Sequence, residues 1–88
     1  MVAKTVIIDN MEGLHLRPAT NLCTLAQRFD CEVHFSVRNY HANAKSVLSV
    51  LAGMVKQGDE VTFECNGKDE QEAIAAIVNL VERKMDLE

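Results

Sequence analysis

Cysteine, proline and glycine are scarce in this sequence, and long apolar runs are absent from it. It has one proline, four glycines and 48% apolar residues, so it is too apolar for a disordered chain. The three cysteines, Cys23, Cys31 and Cys65, are odd in number and lack zinc-type spacing, so we expect buried reduced thiols without a disulfide framework or metal site. No apolar run approaches the ~18 residues of a membrane span, and the N-terminus lacks the features of a signal peptide. The sequence therefore predicts a soluble cytoplasmic protein without membrane insertion.

What the sequence does contain fits one compact domain over residues 1–88. A chain of this length buries about 60% of its unfolded surface, which leaves little room for a deep cleft beside a core. We therefore expect any chemistry to lie at the surface, and a large multi-substrate enzyme is excluded.

Charge is distributed unevenly along the chain. The net charge of −4 argues against binding to nucleic acid or anionic membranes through bulk electrostatics. Residues 13–28 and 33–58, however, contain five basic residues and no acidic ones, whereas the remaining segments hold four basic and 13 acidic residues. This asymmetry predicts one region that tolerates anions or acidic partners.

Apolar periodicity predicts seven elements in the order βαββαβα. The alternation of Val33, Phe35 and Val37 with polar residues is typical of a strand with one wet face, and it leaves His34 in solvent. Apolar residues at i, i+3, i+4 and i+7 are typical of helices. The predicted strands are 2–9, 31–38, 39–43 and 61–65, and the predicted helices are 16–29, 47–52 and 69–84, the last two capped by the side chains of Ser46 and Asp69.

Strands with one wet face and helices with one apolar stripe predict an α+β fold of two layers. We expect a mostly antiparallel four-stranded sheet with the helices packed on a single face. A ferredoxin-like sandwich has nearly the same order of elements, so the order alone leaves the topology open. An RNA-binding sandwich needs exposed aromatic rings for stacking, but Phe35 and Phe63 share the buried parity and only Tyr40 remains. The sequence therefore argues against a nucleic-acid partner.

The run Gly13-Leu14-His15-Leu16-Arg17-Pro18-Ala19-Thr20 places a histidine just before a helix and an arginine two residues later. A neutral imidazole, the main form of a free histidine at pH 7, is a nucleophile. The unpaired amides of Leu16 and Arg17 and the positive end of the helix dipole would receive phosphate oxygens, which the Arg17 fork can also approach. The arrangement suits a phosphoryl acceptor, although spacing alone favours an ordinary loop or capping histidine.

The same eight residues closely resemble the active-site motif of the HPr family, the histidine-containing phosphocarriers of the phosphoenolpyruvate:sugar phosphotransferase system. The likeness covers nearly the whole chain. Its further matching segments are Ala44-Lys45-Ser46, Gln57-Gly58 and residues 67–73. An eight-residue match with three supporting segments is specific, and it favours a functional His15 over a loop histidine.

The resemblance implies an open-faced β-sandwich in which three helices cover one face of the sheet. It implies that His15 accepts a phosphoryl group on Nδ1 from enzyme I, which takes it from phosphoenolpyruvate, and passes it to a histidine of a sugar-specific IIA component. Arg17 would match the arginine that interacts with the phosphate. The chain would be a carrier with a transient phosphohistidine, without cofactor or metal, rather than a stand-alone enzyme.

The resemblance also implies a docking surface. The predicted helix 47–52 is apolar on nearly every side, so Val47, Leu48 and Leu51 cannot all be buried. By resemblance, this apolar patch and Thr20 dock both enzyme I and the IIA component, with Lys45 at the rim. We expect a monomer that meets these partners in turn.

Ser46 has two compatible interpretations. Its side chain can cap helix 47–52, and it resembles the serine that HPr kinase/phosphorylase modifies in many bacteria, where it acts on carbon catabolite regulation through a catabolite-control regulator. A phosphate there would add about two negative charges beside the patch and weaken binding to an acidic partner. A binding module that depends on Ser46 phosphorylation is therefore an alternative function.

Two departures from the family pattern and one subdivision stay open. A carboxylate at Glu12 would repel a nearby phosphate, and Leu16 enlarges the apolar rim. Carriers of sugar uptake, of the nitrogen-related branch and of a dihydroxyacetone-kinase relay share the motif. The sequence therefore predicts a phosphocarrier without specifying its branch.

Overall fold

The computed structural model describes residues 1–87, and over this range the chain forms four strands and three helices in the predicted order. The strands are β1 (Val2–Ile7), β2 (Glu32–Val37), β3 (Tyr40–Asn43) and β4 (Glu60–Asn66), and the helices are α1 (Leu16–Ala26), α2 (Val47–Ala52) and α3 (Glu70–Glu82).

The strands form one antiparallel sheet in the order β1-β4-β2-β3, which resolves the topology that the order of elements leaves open. Helix α3 packs on β1 and β4, and α1 packs against α2 and α3. All three helices lie on one face of the sheet, and the other face is open to solvent. The predicted α+β open-faced β-sandwich is confirmed.

Alternation along the strands decides which face of the sheet is buried. Phe35 and Phe63 pair across β2 and β4, are fully buried and have ring centroids 6.4 Å apart. Polar side chains occupy the other face, where Ser36 Oγ and His41 Nδ1 hydrogen-bond at 2.7 Å and His34 is exposed, as predicted. Because both phenylalanines lie in the core, neither ring is available to stack on a base.

Four elements end earlier than the sequence predicts, the first being strand β1, which ends at Ile7 instead of residue 9. Helix α1 ends at Ala26 instead of Phe29, because the amides of Arg28 and Phe29 donate to carbonyls three residues earlier, at 3.1 and 3.2 Å, and tighten the last turn. Strand β2 ends before Arg38, whose φ of 52° turns the chain. Helix α3 ends before Lys84, whose φ of 56° breaks the helical path.

The predicted capping role of Asp69 is wrong. Asp69 occupies the N-cap position of α3, but within residues 1–87 its carboxylate makes no capping hydrogen bond. It accepts instead from the backbone amides of Asp30 and Cys31, at 2.8 and 2.9 Å. Glu70 makes the local contact, accepting from the Gly67 amide at 3.0 Å. The Asp69 carboxylate therefore ties the start of α3 to the chain that leads into β2.

All three cysteines are buried free thiols, as predicted. Burial raises the pKa of Cys23, and burial together with the Asp69 carboxylate raises the pKa of Cys31. For Cys65, burial and then the neighbouring Cys31 raise the pKa to about 11. The neutral thiol is thus the favoured form at each position, which is consistent with structural cysteines.

Candidate functional site

The chain between β1 and α1 forms a tight turn held by hydrogen bonds. Asn10 Nδ2 donates to the Gly13 carbonyl at 2.7 Å, and the Gly13 amide donates to the Asn10 carbonyl at 3.0 Å. Gly13 has a φ of 62°, and a Cβ there would collide with the carbonyl oxygen of Val55. The next amide, that of Leu14, donates to the same Val55 oxygen at 3.0 Å. These contacts therefore fix the position of His15 at the start of α1.

His15 is the N-cap residue of α1, and its side chain is exposed. Its backbone is extended, with φ −74° and ψ −169°, and its carbonyl accepts from the Ala19 amide at 2.8 Å, which begins the helix. Within residues 1–87 the His15 side chain makes no capping hydrogen bond. Helical hydrogen bonding does not use the first amides of a helix. Those of Leu16 and Arg17 therefore lie at the positive end of the dipole, directly after His15 in the chain.

Arg17 is exposed and lines a shallow polar cleft of about 110 Å³ beside the start of α1. Asn21 closes one side of it, because its Nδ2 donates to the Met85 carbonyl at 2.9 Å. The other lining residues are Glu12, Pro18, Lys84, Met85 and Asp86. The Glu12 carboxylate thus shares a cleft with the Arg17 guanidinium and can compete with another anion for it.

A second, mostly apolar cleft of about 250 Å³ adjoins His15. We call it the His15 groove; besides His15 it is lined by Leu14, Leu51, Met54, Val55 and Lys56. Leu14 is buried beneath it. The groove places apolar walls directly beside the imidazole.

Large apolar side chains are exposed at the start of α1, on α2 and in the loop that follows α2. Leu16 is 65% exposed, Leu48 is 79% exposed and Met54 is 68% exposed. Val47 and Leu51 are half-buried, packing against the core while keeping part of their surface in solvent. We call these five residues the apolar surface. A patch of this kind on a small protein indicates an interaction site.

The other predicted site residues lie on α1 and at the start of α2. Thr20 is exposed one turn into α1, and its Oγ1 donates to the carbonyl four residues earlier at 2.7 Å. The Lys45 ammonium donates to the Phe29 carbonyl at 2.7 Å, just beyond the C-terminal end of α1. Ser46 Oγ accepts from the Ser49 amide at 3.3 Å, which confirms the predicted cap of α2.

The remaining histidines lie on the open face of the sheet. His34 Nε2 is 3.6 Å from the Glu32 carboxylate, and His41 bonds to Ser36. In the described part of the chain, no group of three or more His, Cys, Asp or Glu side chains could hold a metal ion. None of the helices in residues 1–87 has the length and apolarity needed to cross a bilayer.

Comparison with known proteins points to a single family. A family model described as "PTS HPr component phosphorylation site" matches residues 2–83. The chain belongs to the HPr family. Phosphocarrier protein HPr of Treponema pallidum is 36% identical over 88 residues, which cover 100% of both chains. HPr-family proteins are phosphocarriers of the phosphotransferase system, and the predicted resemblance to this family is confirmed.

Solved structures of the HPr family share the fold over the full length of the chain. The crystal structure of an HPr from Thermoanaerobacter tengcongensis has a TM-score of 0.94 and 38% identity, covering 100% of this chain and 99% of that chain. A Mycoplasma histidine-containing phosphocarrier protein has a TM-score of 0.89 and 30% identity, covering 99% of this chain and 100% of that chain.

Sequence reasoning missed the loop between α2 and β4, which forms a wall of the His15 groove. Met54, Val55 and Lys56 lie about 40 residues after His15 in the sequence, and only their position in the acid-free segment 33–58 hinted at the site. It also missed Asn21 and Lys84, which join Arg17 in the polar cleft. These residues carry no local motif, so only the fold brings them to the site.

Proposed function

We propose that His15 accepts a phosphoryl group from a phosphohistidine of enzyme I and passes it to a histidine of a sugar-specific IIA component. In each transfer, an unprotonated imidazole nitrogen of the acceptor bonds to phosphorus while the P–N bond of the donor breaks and the donor imidazole leaves. The family resemblance assigns Nδ1 of His15 to this role. One P–N bond forms and one breaks in each transfer, so no further reactant is needed.

The exposed His15 side chain at the uncapped start of α1 is the observation that carries this proposal. The amides of Leu16 and Arg17 present partial positive charge there. The Arg17 guanidinium lines the polar cleft instead of the His15 groove, and it would add a full charge by reaching the phosphate. Donors already in place stabilise the charge on a phosphoryl group as it passes.

The shallow site suits a carrier. Because His15 is exposed, a donor and an acceptor can each reach it without a conformational change. If the amides and Arg17 held the phosphate tightly, onward transfer would be slow. The carboxylate of Glu12 in the Arg17 cleft weakens that hold through repulsion.

The apolar surface and the His15 groove form the proposed docking site for both partners. Donor and acceptor must approach the same nitrogen, so each uses this surface in turn. Thr20 lies at its edge, and Lys45 contributes positive charge that suits acidic partners. We expect the chain to act as a monomer, because a dimer that covered this surface would block transfer.

Incubation with enzyme I and phosphoenolpyruvate tests the acceptor. The wild-type chain should gain one phosphate that is labile in acid and stable in base, and His15→Ala should gain none. His34→Ala removes another exposed histidine and should label like wild type. Full labelling of His15→Ala would refute the proposal.

The same reconstitution identifies the branch. Phosphorylated chain is offered to a sugar-specific IIA component, to the acceptor of the nitrogen-related branch and to a dihydroxyacetone-kinase relay. We expect the fastest discharge to the sugar-specific component. Faster discharge to either of the others would assign the carrier to that branch instead.

We also propose regulation by phosphorylation of Ser46 by HPr kinase/phosphorylase. The Ser46 hydroxyl lies at the start of α2 and is partly exposed next to the apolar surface. A phosphate there would add about two negative charges, repelling an acidic enzyme I and offering a ligand to a catabolite-control regulator.

A charge-mimicking variant tests this regulation. Ser46→Asp should be phosphorylated by enzyme I more slowly than wild type. Gln71→Glu adds the same charge at an exposed position on α3, outside the proposed docking site, and should not have this effect. If Ser46→Asp binds every candidate partner like wild type, Ser46 is a helix cap only.

A further inference from the structure

Arg38 reaches from the β2–β3 turn to the loop of residues 53–59 between α2 and β4. Its Nη2 donates to the Gly53 carbonyl at 2.5 Å and to the Met54 carbonyl at 3.3 Å. Its Nη1 donates to the Asp59 carboxylate at 2.6 Å. One guanidinium therefore contacts both ends of this loop, and we call the arrangement the Arg38 clamp.

Asp59 extends the clamp into the loop itself. The carboxylate oxygen that binds Arg38 also accepts from the Lys56 backbone amide at 2.9 Å. The Lys56 amide first, and then Arg38, lower the pKa of Asp59, so the carboxylate is ionised at neutral pH. The loop is fixed at its start, at its middle and at its end.

This loop forms one wall of the His15 groove. Met54, Val55 and Lys56 line the groove, and the Val55 carbonyl accepts the Leu14 amide at 3.0 Å. Leu14 directly precedes His15. Contacts therefore run without a break from the Arg38 guanidinium to the residue that carries the imidazole.

We propose that Arg38 is a positioning residue that holds the α2–β4 loop in the shape a docking partner requires beside His15. The inference deepens the proposed function, since it assumes that donors and acceptors dock through the His15 groove. Arg38 itself does not line that groove, and it acts only through the loop.

The geometry requires an arginine. Three acceptors on two segments need the planar fork of a guanidinium, whereas a lysine ammonium is a point donor that cannot span them. Arg38 also has a φ of 52°, which a glycine adopts without strain. Arg38→Gly therefore removes the clamp while favouring the turn, and loss of function cannot be attributed to a disrupted turn.

Steady-state transfer from enzyme I and amide exchange of Leu14 test the inference together. In Arg38→Gly, the KM for transfer should rise about tenfold with kcat unchanged, because binding is lost while the reacting groups stay intact. Exchange of the Leu14 amide should also accelerate about tenfold, since its acceptor moves. Arg38→Lys should fall between wild type and Arg38→Gly.

Arg28→Gly is the charge-matched control, since it removes an exposed arginine beyond the other end of α1. It should leave the KM and the Leu14 exchange rate at wild-type values. Asp59→Asn keeps the Arg38 side chain and should raise the KM less than Arg38→Gly does. If Arg38→Gly does not fold, Asp59→Asn decides the question by the same two measurements.

The outcomes separate the inference from the proposed function. A wild-type KM in Arg38→Gly, or an equal rise in Arg28→Gly, overturns the positioning role while the acceptor role of His15 stands. A wild-type chain that takes no phosphate from enzyme I contradicts the proposed function itself. Faster Leu14 exchange without a change in KM shows that the clamp is structural and also overturns the inference.

Discussion

Backbone amides at the two ends of the sheet have different partners. At the end next to the start of α3, which we call the Asp69 end, side-chain carboxylates accept hydrogen bonds from backbone amides. Asp69 binds the amides of Asp30 and Cys31, and Glu70 binds the Gly67 amide and lies 3.2 Å from the N-terminal ammonium. These amides lower the pKa of both carboxyls and keep them charged.

At the other end, the His15 end, the first turn of α1 contains Leu16, Arg17, Pro18 and Ala19 and so brings no carboxylate. The first turn of α3, by contrast, carries Glu70 and Glu72. The comparison shows how one fold makes two kinds of helix start. The first turn of α3 carries its own carboxylates at the positive end of the helix dipole, whereas the start of α1 has none, so an incoming anion can take that place.

The largest loss in the free energy of unfolding should come from Gly13→Ala at the His15 end and Gly67→Ala at the Asp69 end. Gly13 has a φ of 62° and its Cβ would meet Val55, whereas Gly67 has a φ of 153° and its Cβ would lie 2.7 Å from Cys31. Each substitution combines an unfavourable backbone conformation with a steric clash, so we expect a loss of about 3 kcal/mol or more in the free energy of unfolding. Urea unfolding measures both losses.

Transfer activity then distinguishes the ends. At a temperature where both variants are folded, Gly13→Ala should lose transfer from enzyme I, because the clash of its Cβ with the Val55 carbonyl displaces the turn that carries His15. Gly67→Ala should transfer like wild type. Equal loss of transfer at equal folded fraction would show that the two ends are not functionally distinct.

Unfolding at alkaline pH tests whether water reaches the Cys65 thiol at the Asp69 end. The folded-state pKa of Cys65 is raised from 9.0 to about 11, so the unfolded state loses this thiol proton first as the pH rises. The contribution of Cys65 to the free energy of unfolding is therefore complete below pH 9 and is lost between pH 9 and 11. This loss is on the order of 2 kcal/mol. We expect the free energy of unfolding, measured in urea, to fall less over this range in Cys65→Ala than in wild type. An equal fall would mean that water reaches this thiol in the folded state.

Local sequence patterns predict the helices, the strands and the candidate site at residues 13–20, because each of these depends on residues that are adjacent in the sequence. The alternation around Phe35 identifies the buried face of β2, and Ser46 identifies the start of α2. The motif at residues 13–20 predicts His15 as the acceptor and Arg17 as its partner, because these residues and the start of α1 are continuous in the chain.

Long-range contacts escape the same reasoning. Asp69 fits the local pattern of a helix cap, yet its partner Asp30 lies 39 residues away and is brought close only by the strand order. The wall of the His15 groove at Val55 and the clamp at Arg38 likewise depend on how loops meet at the His15 end. Periodicity and capping preferences contain no information about which loops are neighbours.

The smallest expected effect, a change at Leu16, is the most direct test of the open amides. Leu16 is the first residue of α1 and is exposed. Leu16→Glu places at this end the anion that Glu70 supplies to α3, and it should raise the free energy of unfolding by about 0.3–1 kcal/mol relative to Leu16→Gln. Leu16→Gln matches it in size and in loss of apolar surface, so the difference isolates the charge.

The same carboxylate should oppose function while it stabilises the fold. A repulsion of about 1.4 kcal/mol between it and a phosphate on His15 would lower the equilibrium phosphorylation by enzyme I about tenfold compared with Leu16→Gln. Urea unfolding and phosphate labelling of the two variants measure both effects. If Leu16→Glu is no more stable than Leu16→Gln, the amides are already occupied, and the contrast between the two helix starts fails. Stabilisation accompanied by lost labelling would show that one carboxylate both complements the dipole of α1 and repels the phosphate, as expected for a helix start that lacks an anion of its own.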